Sequence, residues 1–563
     1  MSSIIKKKRQ GITYYYIVDN KRINGKPRHV NQVYIGNSNT IRENITSDDN
    51  IKIYSKVFEY GASKSIFRLI SELGLIEIIE NNCKKRNQGF SNGELAAIGI
   101  INRICNPCSK LQINNWYKKT LLKEDFNIKG DDITSLNFCK SMEYLTEQVI
   151  ENIENEFVPM LIKKYDISTS HLIYDATNFF TFLAKETESV LAKTGHDKAN
   201  QVDKRTVGLS MIVTPDGSIP LMHDVYPGNT HDSVEFKKVL NNLKNRYEKL
   251  LGSKMDVTIT FDRGNNSEDT IEKIADIAKD MHYVGGLRLS QISKTPKKAD
   301  VNLLEIPISQ YVQHNKKQEI KLYRCSKYLY DKEHTVLLMY NEKSYKKQEH
   351  TLEENINKCL KELQQLKDAI QTPVFSIKQS KRTKASTTTL IKNIFSNKDY
   401  MSQIIEFDVI EKNGGISDIV YKVNEEKKAK IKDTHLGKRA LYTNRDEWTN
   451  EEIEEAYTAA WHVEQGFRQM KDDECIKVSP MFHWTDSRIR AHMFYCVMAY
   501  RICCIMKKEL RDNGIDISID EIVNKLSSYM KVVTVEGKFK IINSYTETDS
   551  ITNKILEIFG TKM

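Results

Sequence analysis

Two hydrophobic periods alternate along the chain and divide it. Residues 1 to about 58 read at period two: Thr13-Tyr14-Tyr15-Tyr16-Ile17-Val18 and His29-Val30-Asn31-Gln32-Val33-Tyr34-Ile35 flank the turn sequence Asn24-Gly25-Lys26-Pro27. Alternating β-branched and aromatic residues around a Gly/Pro connection predict a β hairpin module. From 59 to 168 the period becomes helical. Ile66, Phe67, Leu69, Ile70, Leu73, Leu75 and Ile76 form a stripe, and 96–104 and 149–162 read as further helices, so this segment is expected to be a helical domain.

Between 169 and about 295 short strands and helices alternate. His171-Leu172-Ile173-Tyr174-Asp175 reads as a strand ending in a carboxylate. Strands 207–213 and 219–225 are joined by Pro215-Asp216-Gly217, a hairpin signal. A helix over 233–250 precedes the strand Val257-Thr258-Ile259-Thr260-Phe261-Asp262, which ends in a second carboxylate and runs into Arg263-Gly264-Asn265. A helix over 267–278 and a strand over 283–289 follow, giving an α/β layer of three strands, helix, strand, helix, strand. Residues 296–440 break this rhythm. A Lys/Glu-rich helix (344–370), a polar stretch (378–389) and short strands such as 403–409 predict an inserted subdomain.

Strong helical patterning returns over 441–510. Thr449-Asn450-Glu451-Glu452 is a capping box, and Ile453, Ala456, Ala460, Val463, Phe467 and Met470 give one apolar stripe, predicting a single helix over 449–472. The nearly all-apolar 488–506 predicts a buried helix, and 511–563 is a short mixed tail.

Composition narrows the class. Lys and Arg number 85 against 75 Asp and Glu, a net charge of +10 on 563 residues, which permits a polyanionic partner without demanding one. Charged residues are 28% of the chain and no apolar run reaches the roughly 20 residues a bilayer span needs, so neither disorder nor membrane insertion is expected. The N-terminus MSSIIKKKRQG carries no apolar segment behind its basic residues, so no secretory signal is read. The ten cysteines are scattered and only Cys105-x-x-Cys108 has metal-ligand spacing; free thiols in a reducing cytoplasm are the expectation, with a zinc-binding module the alternative. Basic residues cluster at Lys6, Lys7, Lys8, Arg9, Lys21, Arg22, Lys26 and Arg28, and again at Lys378, Lys381, Arg382 and Lys384. Either cluster is a candidate phosphate contact or a solvated face.

Candidate chemistry sits at two strand ends and on one helix. Asp175 and Asp262 lie at the carboxyl ends of strands, the edge where α/β layers bind ligands, although each also suits a local turn. Tyr457, Glu464 and Lys471 are spaced by seven. On one helix they share a face with a rise of about 10.5 Å per step. Trp461 and Arg468 lie beside them. An aromatic, a carboxylate and cations in a row suit a nucleic-acid strand; ordinary surface pairing of Glu464 with Arg468 explains the same residues equally well. Two Asp and one Glu are all-oxygen donors that suit Mg²⁺ or Mn²⁺ and, in pairs, phosphodiester displacement.

Several strings together resemble one family. Tyr174-Asp175-Ala176-Thr177, Val225-Tyr226-Pro227-Gly228-Asn229-Thr230, Phe261-Asp262-Arg263-Gly264, AYTAAWHVEQGFRQMK (456–471), His483-Trp484-Thr485 and Arg488-Ile489-Arg490-Ala491-His492 resemble, in order, DDE transposases of bacterial insertion sequences. The subgroup is the IS-four-like one with a Tyr-x2-Arg-x3-Glu-x6-Lys signature helix. The resemblance implies an RNase H-like core (a mixed sheet with flanking helices) split by the inserted subdomain and preceded by the β module and a helical DNA-binding or assembly domain. It implies Asp175, Asp262 and Glu464 as the catalytic triad holding two Mg²⁺ (or Mn²⁺) ions, and Tyr457, Trp461, Arg468, Lys471 and Arg263 as DNA contacts. The implied reaction frees a 3′-OH at a transposon end by metal-dependent hydrolysis, and that hydroxyl then attacks target DNA. The implied partners are double-stranded DNA, as terminal inverted repeats and target, and a second copy of the chain on DNA, in a bacterial cytoplasm at the nucleoid. One position departs: the signature Arg falls at Ala460, so a phosphate contact is missing there, with Arg468 or Arg263 as substitutes. The alternatives are an RNase H-fold nuclease without strand transfer and a catalytically inactive, transposase-derived DNA-binding protein.

Overall fold

The computed structural model describes residues 2–563 other than 24–25, 47–52, 86–88, 129, 184–187, 195–203, 252–255, 278–280, 294–301, 316–319, 372–382, 413–414, 473–475, 480 and 537–539. Lys378, Lys381 and Arg382 of the second basic cluster therefore lie outside the described residues, as do the Asn24-Gly25 turn tip and Cys475.

The chain divides into two compact units, residues 1–60 with 528–549, and 61–527 with 550–563. In the first, strands Ser2–Arg9, Ile12–Ile23 and Lys26–Asn37 form a three-stranded antiparallel sheet followed by the helix Ser38–Thr46. The expected hairpin is its second and third strands. Gln10 and Gly11, both at positive φ, make the two-residue connection to the first strand, the backbone a tight hairpin turn requires. A second sheet pairs Ile53–Glu59 with Met530–Glu536, which in turn pairs with Lys540–Tyr545. Tyr60, Tyr529 and Tyr545 pack beside it with ring centroids 5.2–5.9 Å apart. The C-terminal tail thus completes a sheet begun near residue 53, a long-range pairing that neither sequence carries alone.

The second unit is built on one large mixed sheet with helices on both faces. Its centre comprises β1 (His171–Thr181), β2 (Arg205–Val213), β3 (Pro220–Pro227), β4 (Val257–Phe261) and β5 (Met281–Leu287) in the order β3-β2-β1-β4-β5. β1 is antiparallel to β2, and β1, β4 and β5 are mutually parallel. Beyond β5 the sheet continues through Lys438–Thr443, Lys332–Asn341, Ile320–Leu329 and Val312–Asn315, all antiparallel. The strands either side of 342–436 therefore belong to the main sheet. Among the described residues, those of 342–436 build a core of their own, around Leu352, Ile356, Cys359, Leu363, Ile391 and Phe395.

Six helices of this unit matter below: α1 (Glu147–Tyr165), α2 (Asp232–Leu251), α3 (Glu268–Ile277), α4 (Asn450–Thr458), α5 (Trp461–Lys471) and α6 (Asp486–Asp512). α2 and α3 cover one sheet face, where Tyr174, Phe236 and Phe261 stack with centroids 4.3 and 5.0 Å apart. α6 is long and apolar enough to cross a membrane by length and composition, but it is almost wholly buried, packed against β3 and helix Asn92–Cys105. Its Arg501 is fully buried. It is held by Glu154 of α1, whose carboxylate also meets His223 of β3 at 2.8 Å and Arg246 of α2 at 3.2 Å.

Two expectations are corrected. β1 does not end at Asp175 but continues to Thr181, because Phe179 is buried and Thr181 bridges to Met481. The helix expected over 449–472 is two helices. At Ala459-Ala460 the ladder tightens to i→i+3 bonds, Ala460 N–H to Tyr457 O and His462 N–H to Ala459 O, so Tyr457 sits on α4 while Glu464 and Lys471 sit on α5.

Candidate active site

Alternation along two adjacent strands decides where the acidic side chains point. In β1, Leu172, Tyr174 and Ala176 enter the core beneath α2. Side chains alternate faces, so His171, Ile173, Asp175, Thr177 and Phe179 take the opposite one. In β4, Val257, Ile259 and Phe261 face α2, and Thr258 and Thr260 face away, where Thr260 Oγ1 donates to the Ala456 carbonyl of α4 at 3.2 Å. Asp262 follows Phe261 and carries this alternation one step further. The parallel register pairs His171 with Thr258 and Ile173 with Thr260. Asp175 and Asp262 each lie two residues past that last pair, on the same face of neighbouring strands, which run about 4.8 Å apart. Asp262 is exposed at the strand end and Asp175 is half-buried, with its Oδ1 accepting from the Ala176 N–H at 2.7 Å.

The helices bring the remaining groups to this face. The Thr449–Glu452 capping box closes reciprocally, with Thr449 N–H to Glu452 Oε2 at 2.7 Å and Glu452 N–H to Thr449 Oγ1 at 3.2 Å. Ile453, Ala456, Val463, Phe467 and Met470 are buried as the stripe requires. Gly466 lets α5 lie close on α6: a Cβ there would fall 2.8 Å from Tyr500 Oη. Glu464 is exposed, one turn before Arg468, and no ion pair joins the two among the described residues. Lys471 Nζ donates to Thr177 Oγ1 at 2.6 Å and lies 5.5 Å over the Phe179 ring, which fastens the end of α5 to the strand carrying Asp175. Trp461 is exposed at 47% and stacks on His462, whose imidazole is half-buried.

Tyr457 lies within electrostatic reach of both Asp262 and Glu464. Burial raises its phenol above the ordinary value. Asp262 and Glu464 raise it further, and Arg439 and Arg263 oppose them. Its hydroxyl sits over Gly286 of β5, where a Cβ would lie 2.5 Å from Tyr457 Oη and 3.2 Å from Arg263 Cβ. Two cations therefore flank the tyrosine, Arg263 after β4 and Arg439 on the strand beside β5. Arg439 escapes sequence reasoning because it belongs to a strand that follows a long insertion; only its sheet partner places it. Asp232, at the start of α2, accepts from Tyr226 Oη at 3.3 Å.

The donor set of Asp175, Asp262 and Glu464 is all oxygen and suits a hard divalent cation. Asp175 and Asp262 share one face of the sheet and Glu464 lies on the helix packed against β1, but among the described residues no group of three or more His, Cys, Asp or Glu is close enough to hold an ion. Cys108 Sγ accepts from Asn102 Nδ2 at 3.3 Å, and neither Cys105 nor Cys108 is in a disulfide.

Asp175 within β1 and Asp262 just after β4 thus stand on neighbouring parallel strands, against which the helix carrying Glu464 and Lys471 packs. The family model for the transposase DDE domain matches residues 167–502, more than half of the chain and the whole of the central sheet, and the chain belongs to this DDE transposase family. Comparison with curated proteins gives no match. Among solved structures, the chain is similar to the piggyBac transposase synaptic complex with hairpin DNA, at 10% identity and a TM-score of 0.37, over 83% of this chain and 80% of that one.

Proposed function

We propose that the protein is an insertion-sequence transposase of the IS-four-like subgroup that cleaves and joins DNA at terminal inverted repeats, with Asp175, Asp262 and Glu464 as its triad. The observation that carries this reading is the shared face: both aspartates stand two residues past the Ile173–Thr260 pair, and α5 is tied to the same strand by Lys471. The β3-β2-β1-β4-β5 order, with β2 the antiparallel member between parallel β1 and its hairpin partner β3, supports an RNase H-like core carrying an insertion before the Glu helix.

The three carboxylates would hold Mg²⁺ or Mn²⁺, and the chemistry supplied by a bound pair is activation of the attacking oxygen and stabilisation of the leaving one. The protein groups act around that centre. Lys471 and Arg263 face a scissile phosphate as cations, with Arg439 in the place that the signature Arg leaves vacant at Ala460. Trp461 offers an exposed ring for a base. Tyr457, held with a neutral hydroxyl, donates a hydrogen bond to phosphate and is not a nucleophile, so no covalent protein intermediate forms. Two copies on paired ends would set cleavage beside joining.

The test is metal-dependent cleavage of a duplex carrying the element's own terminal repeat. Asp175→Ala, Asp262→Ala and Glu464→Ala are each expected to abolish nicking with Mg²⁺ while binding the duplex like the parent. Full nicking by any one removes that residue from the triad. Hydrolysis by the parent without joined products identifies a nuclease instead.

A further inference from the structure

β1 runs six residues beyond Asp175, and that extension has its own surface. Phe182 follows the strand and is 50% exposed; Phe482 and Trp484, in the segment after α5, are 55% and 64% exposed. These are large apolar areas to leave in water. The Phe182 and Phe482 rings pack together at 5.2 Å. Two tethers hold the segments in place. Phe182 N–H donates to the Met481 carbonyl at 3.0 Å. On the other side, the Asp486 carboxylate accepts from Ser189 Oγ and from the Val190 and Leu191 N–H groups. The rings are therefore displayed on a fixed frame rather than on a loose loop.

The surroundings are cationic. Lys204 Nζ lies 4.8 Å over Phe182 and 5.4 Å over Phe180, and Lys471 lies over Phe179 on the opposite face of the strand. Exposed rings interleaved with lysines fit stacked bases flanked by phosphates, whereas the charged rim is a poor match for an apolar protein helix. We propose that Phe182, Phe482 and Trp484 form a stacking platform for unpaired bases of a DNA strand. This rests on the transposase reading above. Seven residues of extended strand, about 23 Å, separate Phe182 from Asp175, whose side chain takes the other face. The platform thus serves bases away from the scissile phosphate, distinct from any base held by Trp461.

The test uses the full chain without divalent metal, with a fluorescent twelve-nucleotide oligo-dT and a blunt duplex of equal length as probes. Phe182→Ala, Phe482→Ala and Trp484→Ala are each expected to weaken oligo-dT binding by about 5- to 150-fold, with duplex binding changed far less. Trp484→Phe should recover most of the affinity, and thermal melting should stay at the parent value because the rings are exposed. Asp262→Asn serves as the separating control: parent-like oligo-dT binding there shows that the platform is read independently of the triad. Parent-like binding by the alanine variants overturns the proposal. So does failure of the parent to bind oligo-dT, or a change in self-association by sedimentation in place of a change in DNA binding, which would assign the patch to a second copy of the chain.

Discussion

Gly286 shows how one absent side chain shapes the site. It lies on β5, paired with Leu441 across the sheet, and the space its Cβ would fill is taken by the hydroxyl of Tyr457 and by Arg263. The tyrosine ring is rigid, so it cannot yield by rotating a terminal bond as a lysine could. Gly286→Ala is expected to push Tyr457 away from Asp262 and Arg263 and to lower DNA cleavage by on the order of 10²-fold, the effect of a displacement near 1 Å at a reacting centre. The strain should lower stability by only about 1–3 kcal/mol. Gly415→Ala, where a Cβ meets nothing within 4 Å, is the control and should match the parent in both cleavage rate and urea midpoint. Equal cleavage by both variants would separate Tyr457 from the chemistry. Nothing in the local sequence around Gly286 signals this role, since a Gly-Gly pair in a strand reads only as a weak position; the meaning comes from a tyrosine 171 residues further on.

At the scale of elements, the Glu helix depends on how α5 seats on α6. Gly466 is the contact, with the Tyr500 ring against its backbone. Gly466→Ala should lift α5 and destabilise the protein by about 1–3 kcal/mol in a urea titration. The combination with Tyr500→Leu, which removes the clashing ring, should cost less than the sum of the two single changes. Strict additivity would mean that the two residues do not press on one another. Much of this element is legible in the sequence. Its capping box and its apolar stripe depend on residues three and four apart; the box forms as read, and the stripe is buried at each of its positions except Ala460, where the helix breaks. Its interruption is not legible, because Ala459-Ala460 is a good helix-forming pair and the tightening carries no Gly or Pro signal. The strand ending in Asp262 is readable for the same reason as the stripe, a run of alternating β-branched residues closed by a turn sequence. The end of β1 is misread because Asp175-Ala176-Thr177-Asn178 has turn chemistry, and tertiary contact with Met481 overrides it. Local signals thus survive where packing agrees with them, and Arg439 and the pairing of the tail with Ile53–Glu59 lie beyond any local signal.

Across the whole second unit, two buried carboxylates answer pH in opposite senses. Glu154 ties α1, α2, β3 and α6 together. Burial alone would raise its carboxyl; His223, Arg501 and Arg246 more than reverse this and hold it well below the ordinary range. A depressed carboxyl stabilises the fold above the unfolded value near 4.3 and loses that contribution as pH falls toward its folded value. Glu154→Ala leaves Arg501 buried without its carboxylate and should cost about 3–5 kcal/mol. Glu235 of α2 differs. It is 2% exposed, it accepts from Ser210 Oγ at 3.3 Å, and burial, aided by Asp224, pushes it up to about 7. A raised carboxyl favours the folded state below the unfolded value near 4.3, and that advantage is lost as pH rises through about 7. Above that, the fold carries a charged, poorly solvated Glu235. Glu235→Gln keeps the shape and the acceptor without the charge. It should raise stability at pH 8 by an amount on the order of 3 kcal/mol, an upper bound from the size of the shift, while matching the parent near pH 4. Thermal melts of the two proteins from pH 4 to 8 should therefore coincide at the acid end and part steadily through neutrality; parallel curves would mean that Glu235 titrates in the fold as it does in the unfolded chain, with Ser210 and the α2 N-terminal turn compensating its charge.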